Sequence, residues 1–145
     1  MTEQSSRIFP KYPIYIPSKG RAEQSLTAQC LDKDGIFFYL VVEPQEHDEY
    51  AERFGNTRVL TLPFRDRGSS IPARNWIMDH AINAGHERHW QLDDNIRRFY
   101  RRKSLHRFPC RAGIALGLTE RFVDRYENVA IAGLQYKKFV ADRMQ

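Results

Sequence analysis

The chain has 145 residues, 41% of them hydrophobic and 28% charged, the size and make-up of one globular domain with a real core. No apolar run approaches the ~20 residues that a membrane-spanning helix needs, and residues 1–10 lack the apolar block of a secretory signal, so membrane partners are not expected. The net charge of +5 is unevenly spread: residues 96–118 hold no acid but seven cations, Arg97, Arg98, Arg101, Arg102, Lys103, Arg107 and Arg111, leaving −2 for the rest. Such a block fits either a polyanionic partner or a solvated, salt-bridged face. Cys30 and Cys110 form no CxxC and no metal spacing, which fits a reducing compartment and an expected cytoplasmic location.

In chain order, residues 1–10 read as a flexible leader and 11–145 as the folded domain. Residues 12–16 are an apolar strand, closed by the polar turn 17–21. A helix follows, with Ala22, Leu26 and Cys30 inward, and stops at Gly35. Residues 36–42 are continuously apolar, as in a strand covered on both faces. Pro44 opens the next helix, with His47, Tyr50, Ala51 and Phe54 on one face. Residues 58–62 are a third strand. A loop with Gly68 leads to Ser70, a candidate cap for a helix burying Ala73, Trp76, Ile77, Ala81 and Ala84. Residues 89–92 are a fourth strand and 96–102 a fifth, edge-like one. Residues 110–126 read as a helix with Ala115, Leu118, Phe122 and Tyr126 inward, and 129–132 as a last strand. Alternation of strand and helix argues for an α/β fold, a mostly parallel sheet flanked by helices.

Such sheets bind ligands outside the carboxyl ends of their strands. The first end carries Pro17, Ser18, Lys19 and Arg21, the second Glu43, and the fourth Asp93, Asp94 and Asn95. Arg74 and Asn75 fall in the first turn of the third helix. Two adjacent carboxylates after a buried strand repel one another, and a divalent cation relieves that repulsion. The triplet therefore suits Mg²⁺ or Mn²⁺ shared with a diphosphate; the plainer reading is an Asp-Asp-Asn turn. Lys19 and Arg21 suit a phosphate or ribose, or else a simple turn. Arg74 suits a phosphate or sugar hydroxyls, or a surface ion pair. Glu43 suits a base or ribose, or the first turn of the next helix. Walker and GxGxxG signatures are missing, so ATPase and nicotinamide-enzyme readings lack support. Phe99, Tyr100 and Phe108 interleave with the arginines and fit either base stacking or core packing. Gly113 and Gly117 fit close helix packing.

Several of these segments together resemble the TET-associated glycosyltransferase family: YPIYIPSKGR at 12–21, VVEP at 41–44, PARN at 72–75, WQLDDNI at 90–96 and NVAIAG at 128–133. The resemblance runs from Tyr12 to Phe139. It implies a Rossmann-like, nucleotide-diphospho-sugar transferase fold of GT-A type, mostly phage-encoded, with relatives in the GREB-type proteins. It also implies a UDP-sugar donor, Mn²⁺ or Mg²⁺ as cofactor, and hydroxymethylated pyrimidines, such as 5-hydroxymethylcytosine, in DNA as acceptor. By carry-over, Asp93, Asp94 and Asn95 stand at the family's Asp-x-Asp metal motif, with Asn in place of the last Asp. Pro17, Ser18, Lys19, Arg21 and Glu43 would line the nucleoside pocket, and Arg74 and Asn75 would face the diphosphate or sugar. Arg97, Arg98, Arg101, Arg102, Lys103 and Arg107 would hold the DNA backbone. Family members continue past the end of this sequence with a Glu-Asp motif, so the acceptor-side part and the catalytic base are expected to lie outside it. Other expectations compatible with the residues are a protein or small-molecule acceptor, and a noncatalytic nucleotide- or DNA-binding module.

Overall fold

The computed structural model describes residues 8–65 and 68–136, which form two compact units. The larger unit, Tyr12–Arg97, holds strands β1 (Ile14–Pro17), β2 (Tyr39–Val42), β3 (Val59–Thr61) and β4 (Trp90–Gln91). Helices α1 (Leu26–Lys33), α2 (His47–Phe54) and α3 (Ile71–Asn83) connect them. All four strands are parallel, in the order β3-β2-β1-β4. The α/β class and parallel sheet expected from the sequence are therefore the observed ones.

The physical basis is the run of apolar residues on both faces of the central strands. Tyr15 and Val41 pack with Leu62 against Ala73, Ile77 and Ala81 of α3. Strand alternation turns Ile14, Ile16, Leu40 and Val42 the other way, and these are equally buried. Burying an aliphatic side chain of this size contributes about 1.5–3 kcal/mol, so a sheet covered on both faces is the favoured arrangement. The helices stop where the sequence indicates: Gly35 and Gly85 follow α1 and α3 in the left-handed region, at φ 70° and 81°.

Several details differ from expectation. Ser70 makes no side-chain cap; Ser69 Oγ accepts the Ile71 N–H at 3.2 Å instead. Ala84 is exposed, because α3 has ended by then, and Trp76 is only half-buried. On α1 the buried face is Thr27, Ala28 and Leu31 rather than Leu26 and Cys30.

The smaller unit joins residues 8–11 to residues 98–136. It contains β5 (Phe99–Lys103), β6 (His106–Cys110) and α4 (Ala112–Val123). The expected edge strand at 96–102 begins only at Phe99 and pairs antiparallel with β6, in a ribbon separate from the parallel sheet. A two-residue turn makes this possible, with Ser104 at φ 55°. No Asn-Gly or Asp-Gly pair marks that turn, so the sequence pattern hides the hairpin and its return strand.

Helix α4 buries Ala112, Gly113, Leu116, Gly117, Glu120 and Val123, while Phe122 and Tyr126 are exposed. The expected inward stripe of Ala115, Leu118, Phe122 and Tyr126 is thus rotated by about one residue position. Close approach of another backbone causes the rotation: a Cβ on Gly117 would overlap the Ile8 side chain and lie 3.4 Å from the Phe9 carbonyl oxygen. Lys11 fixes the same segment, donating its N–H to Glu120 Oε2 at 2.8 Å and pairing with Asp124 at 2.8 Å. Residues 8–11 are therefore packed, not a free leader, and residues 1–7 lie outside the described residues. The expected strand at 129–132 is irregular, with Ile131 92% exposed, and among the described residues no strand pairs with it.

Candidate functional site: the carboxyl edge of the parallel sheet

Strand order places β1 between β2 and β4, so the chain leaves β1 in one direction across the sheet and later returns on its other side. This is the switch point at which open parallel sheets form a ligand crevice. The loop after β1 and the turn after β4 meet there.

Asp94 is the meeting point. Its side chain is 14% exposed. Oδ2 accepts the Ser18 hydroxyl at 2.9 Å, and Oδ1 pairs with Arg21 Nη1 at 3.1 Å. Ser18 Oγ lies 2.8 Å from the hydroxyl of Tyr50, which accepts the Arg21 N–H at 3.0 Å. The carboxylate can only accept, so the proton order is fixed: Arg21 N–H to Tyr50, Tyr50 O–H to Ser18, Ser18 O–H to Asp94. Burial pushes the Tyr50 phenol up, against the lowering effect of these hydrogen bonds, so at neutral pH it keeps the proton this relay requires.

Asp93 is half-exposed, and its Oδ1 pairs with Arg74 Nη2 at 2.6 Å. The Gln91 carboxamide steadies Arg74 from β4: its Nε2 donates to the Arg74 carbonyl at 3.1 Å and lies 3.0 Å from His89 Nε2. That geometry needs His89 Nε2 to be an unprotonated acceptor. Desolvation, and then His86 nearby, lower the His89 pKa and favour the neutral ring.

Thr27 latches the acidic turn to α1. Its hydroxyl donates to the Asp93 carbonyl and accepts the Ile96 N–H at 2.9 Å, and its own N–H reaches the Asp94 carbonyl at 3.3 Å. Towards β2, Lys19 pairs with the buried Glu43 at 2.7 Å, and Gln45 also donates to Glu43. The Gly20 N–H donates to Glu46. Pro17 ends β1, and the Ser18 N–H continues the ladder to Val41 O at 3.0 Å.

The structure thus gathers Ser18, Arg21, Arg74, Asp93 and Asp94 in one hydrogen-bonded group, and Lys19 with Glu43 in a second. Asn75, near the start of α3, and Asn95, in the turn after β4, are exposed. Sequence reasoning did not single out Thr27, Tyr50, Gln91 or Glu46. Thr27 had one available signal: a hydroxyl four residues before Leu31 on a buried stripe needs a partner.

As a cation site, the turn offers two carboxylates and a carboxamide, all hard oxygen donors. Among the described residues no group of three or more His, Cys, Asp or Glu side chains converges. That set fits Mg²⁺ or Mn²⁺ that retains water and phosphate ligands, and does not fit a closed protein cage. Among the same residues no helix is long and apolar enough to cross a membrane.

Of the basic residues, Arg101, Arg102, Lys103 and Arg107 lie on the ribbon, with Arg102 directly opposite Arg107 and Arg101 opposite Phe108. Arg97 and Arg98 precede it, both exposed. Phe99 is buried and so belongs to the core, whereas Phe108 is 53% exposed.

A parallel sheet in this order, with an acidic turn and two arginines at its switch point, has the Rossmann-like architecture of GT-A nucleotide-diphospho-sugar transferases. The chain belongs to the TET-associated glycosyltransferase family, whose profile matches residues 12–144, and it is by that membership a glycosyltransferase. No curated protein and no solved structure matches it.

Proposed function

We propose that the chain binds a UDP-sugar in the crevice between the β1 loop and the β4 turn, with Mn²⁺ or Mg²⁺ at Asp93 and Asp94, and transfers the sugar to 5-hydroxymethylcytosine in DNA. The observation that carries the donor half is the convergence of Ser18, Arg21 and Arg74 on Asp93 and Asp94 at the switch point. When bound there, a divalent cation offsets the charge that develops on the departing diphosphate. Asp93 and Asp94 would hold it, with Asn95 as a neutral third donor. Arg74 presents a planar fork suited to phosphate oxygens, and Arg21 a second one. Glu43 and Lys19 suit the hydroxyls and carbonyls of the nucleoside. The Tyr50–Ser18 relay and the Thr27 latch set the β1 loop and the backbone of the acidic turn in advance.

The ribbon supports the acceptor half. Arg102 and Arg107 stand opposite each other across the strand pair. Two neighbouring guanidinium groups suit the phosphates of a nucleic-acid backbone, and affinity would then fall steeply with salt. Exposed Phe108, opposite Arg101, suits stacking on a base. Such a reaction takes place in the cytoplasm, which agrees with the cysteine usage.

Donor screening by calorimetry, with and without Mn²⁺, followed by transfer assays on hydroxymethylated and unmodified DNA, tests the proposal. Binding of a UDP-sugar that is lost in Asp94→Ala supports the donor site. Equal binding by Asp94→Ala removes it. Transfer to a protein or small molecule, with no salt-dependent DNA binding, replaces the acceptor. Donor binding without turnover favours a noncatalytic module.

A further inference from the structure

Strand alternation sorts the β5–β6 ribbon into two faces. Residues opposite one another in an antiparallel pair point the same way, and every second residue along each strand joins them. Arg101 stands opposite Phe108 and Lys103 opposite His106, so these four share one face. Phe99 belongs to the same face and is buried, which anchors its base. The four residues beyond it are exposed, Phe108 by 53%, and Leu105 in the turn is 49% exposed. The His106 and Phe108 rings lie 6.4 Å apart. Arg102 and Arg107 point to the opposite face.

On the first face, two cations about 7 Å apart along β5 look across the ladder at an aromatic ring about 5 Å away. Residues 96–118 contain no acidic side chain, so the ribbon brings no counter-ion of its own. A complementary partner carries negative charge at intervals and planar apolar surface between the charges. A nucleotide chain has both, one phosphate and one base per unit. In a duplex the base faces are stacked on one another, and the ribbon meets phosphates and groove edges. Where a nucleotide is unpaired and out of the stack, its base face is open to the Phe108 ring. An anionic membrane also combines charge with apolar matter, but it takes up elements with a broad apolar face. The ribbon exposes two large aliphatic or phenyl side chains, Leu105 and Phe108, which favours the nucleotide chain.

We propose that this face of the ribbon binds unpaired nucleotides, with Phe108 stacking on a base and Arg101 and Lys103 on the flanking phosphates, so that the chain engages single-stranded DNA in preference to duplex. This rests on DNA being the acceptor. His106 widens the platform beside Phe108. The preference suits chemistry on a base, because an enzyme reaches the reacting atoms of a base only when it has left the stack.

The test is fluorescence anisotropy with the full chain and no donor, at fixed low salt. The probes are a labelled DNA single strand of about 12 nucleotides, within the span one such surface covers, and the matching duplex. Circular dichroism checks the folding of each variant. The parent binds the single strand about tenfold more tightly than the duplex, a difference that one stacked base supplies. Phe108→Ala and Phe108→Leu lose that factor on the single strand and leave duplex binding unchanged, whereas Phe108→Tyr keeps the ring and the preference. Arg101→Gln lowers the slope of log K against log salt by about 0.7 on the single strand, the share of one phosphate contact. If the duplex binds as tightly as the single strand, or Phe108→Leu weakens both alike or neither, the stacking face is wrong while the ribbon stands as a DNA contact. If neither oligonucleotide binds, the DNA acceptor fails and this face with it; binding to phosphatidylserine vesicles in their place makes the ribbon a membrane contact.

Discussion

Thr27 is the residue at which the fold and the site are most directly joined, and Thr27→Val isolates that connection. The substitution keeps the shape of a fully buried side chain, so no cavity forms. It removes one hydroxyl that serves two backbone groups, the Asp93 carbonyl and the Ile96 N–H. Both belong to the turn that carries the carboxylates, and both lie where water only partly replaces the lost partner. At about 1 kcal/mol for each unsatisfied group the loss is about 2 kcal/mol. For a unit of this size that lowers the melting temperature by roughly 8–16 °C. The turn also loses its anchor to α1, and donor affinity is expected to fall at least about tenfold, or 1.4 kcal/mol. Thr27→Ser is the matching control: it keeps the hydroxyl and deletes a buried methyl, costing about 1 kcal/mol in packing. It should melt lower than the parent yet bind donor normally. Thermal melts followed by circular dichroism, with UDP titrations on the same samples, check both. The reasoning is refuted if Thr27→Val binds UDP as the parent does, or if Thr27→Ser loses affinity as badly as Thr27→Val.

Three further outcomes are expected. Tyr50→Phe breaks the relay by leaving the Arg21 N–H without its acceptor and Ser18 Oγ without its donor; the cost is about 1–2 kcal/mol in denaturant unfolding, with weaker UDP binding, and an unchanged midpoint would contradict it. Gly117→Ala places a Cβ against Ile8, so the Lys11 amide, held by Glu120, should lose protection by about tenfold in hydrogen exchange; retained protection would show that the segment adapts. His89 has a lowered pKa, so between 6.5 and that lower value the unfolded chain binds more protons than the folded one. Stability from this group is therefore present above pH 6.5 and lost as the pH falls. His89→Gln should flatten that limb of a plot of melting temperature against pH; an identical slope in the variant would assign it to other groups.

Local patterns carried a large part of this architecture. The continuous apolar runs around Ile14–Pro17 and Tyr39–Val42 specify strands buried on both faces, and the glycines at 35, 55 and 85 mark helix ends where a side chain would be strained. Strand–helix alternation then brings every strand's carboxyl end to one edge, which is why Ser18, Arg21, Arg74, Asp93 and Asp94 were legible as one group from the sequence. The family segments gave the same residues. The ribbon was not legible, because its turn rests on a serine with positive φ instead of a glycine signal. Nor was the face of α4, which is set by the approach of residues 8–11 to Gly117 from far away in sequence.

What the sequence determined by itself was the set of elements and the edge at which their polar ends gather, because periodicity and chain direction are local properties. Tertiary structure alone decided which residue holds which. Strand order set β1 beside β4 and so joined Ser18 and Arg21 to Asp94. Helix packing brought Arg74 to Asp93, Thr27 beneath the turn and Tyr50 under the loop. Hydrogen bonds and ion pairs act over about 3 Å, and no pattern along the chain reports distances of that size between residues separated by 19 to 76 positions.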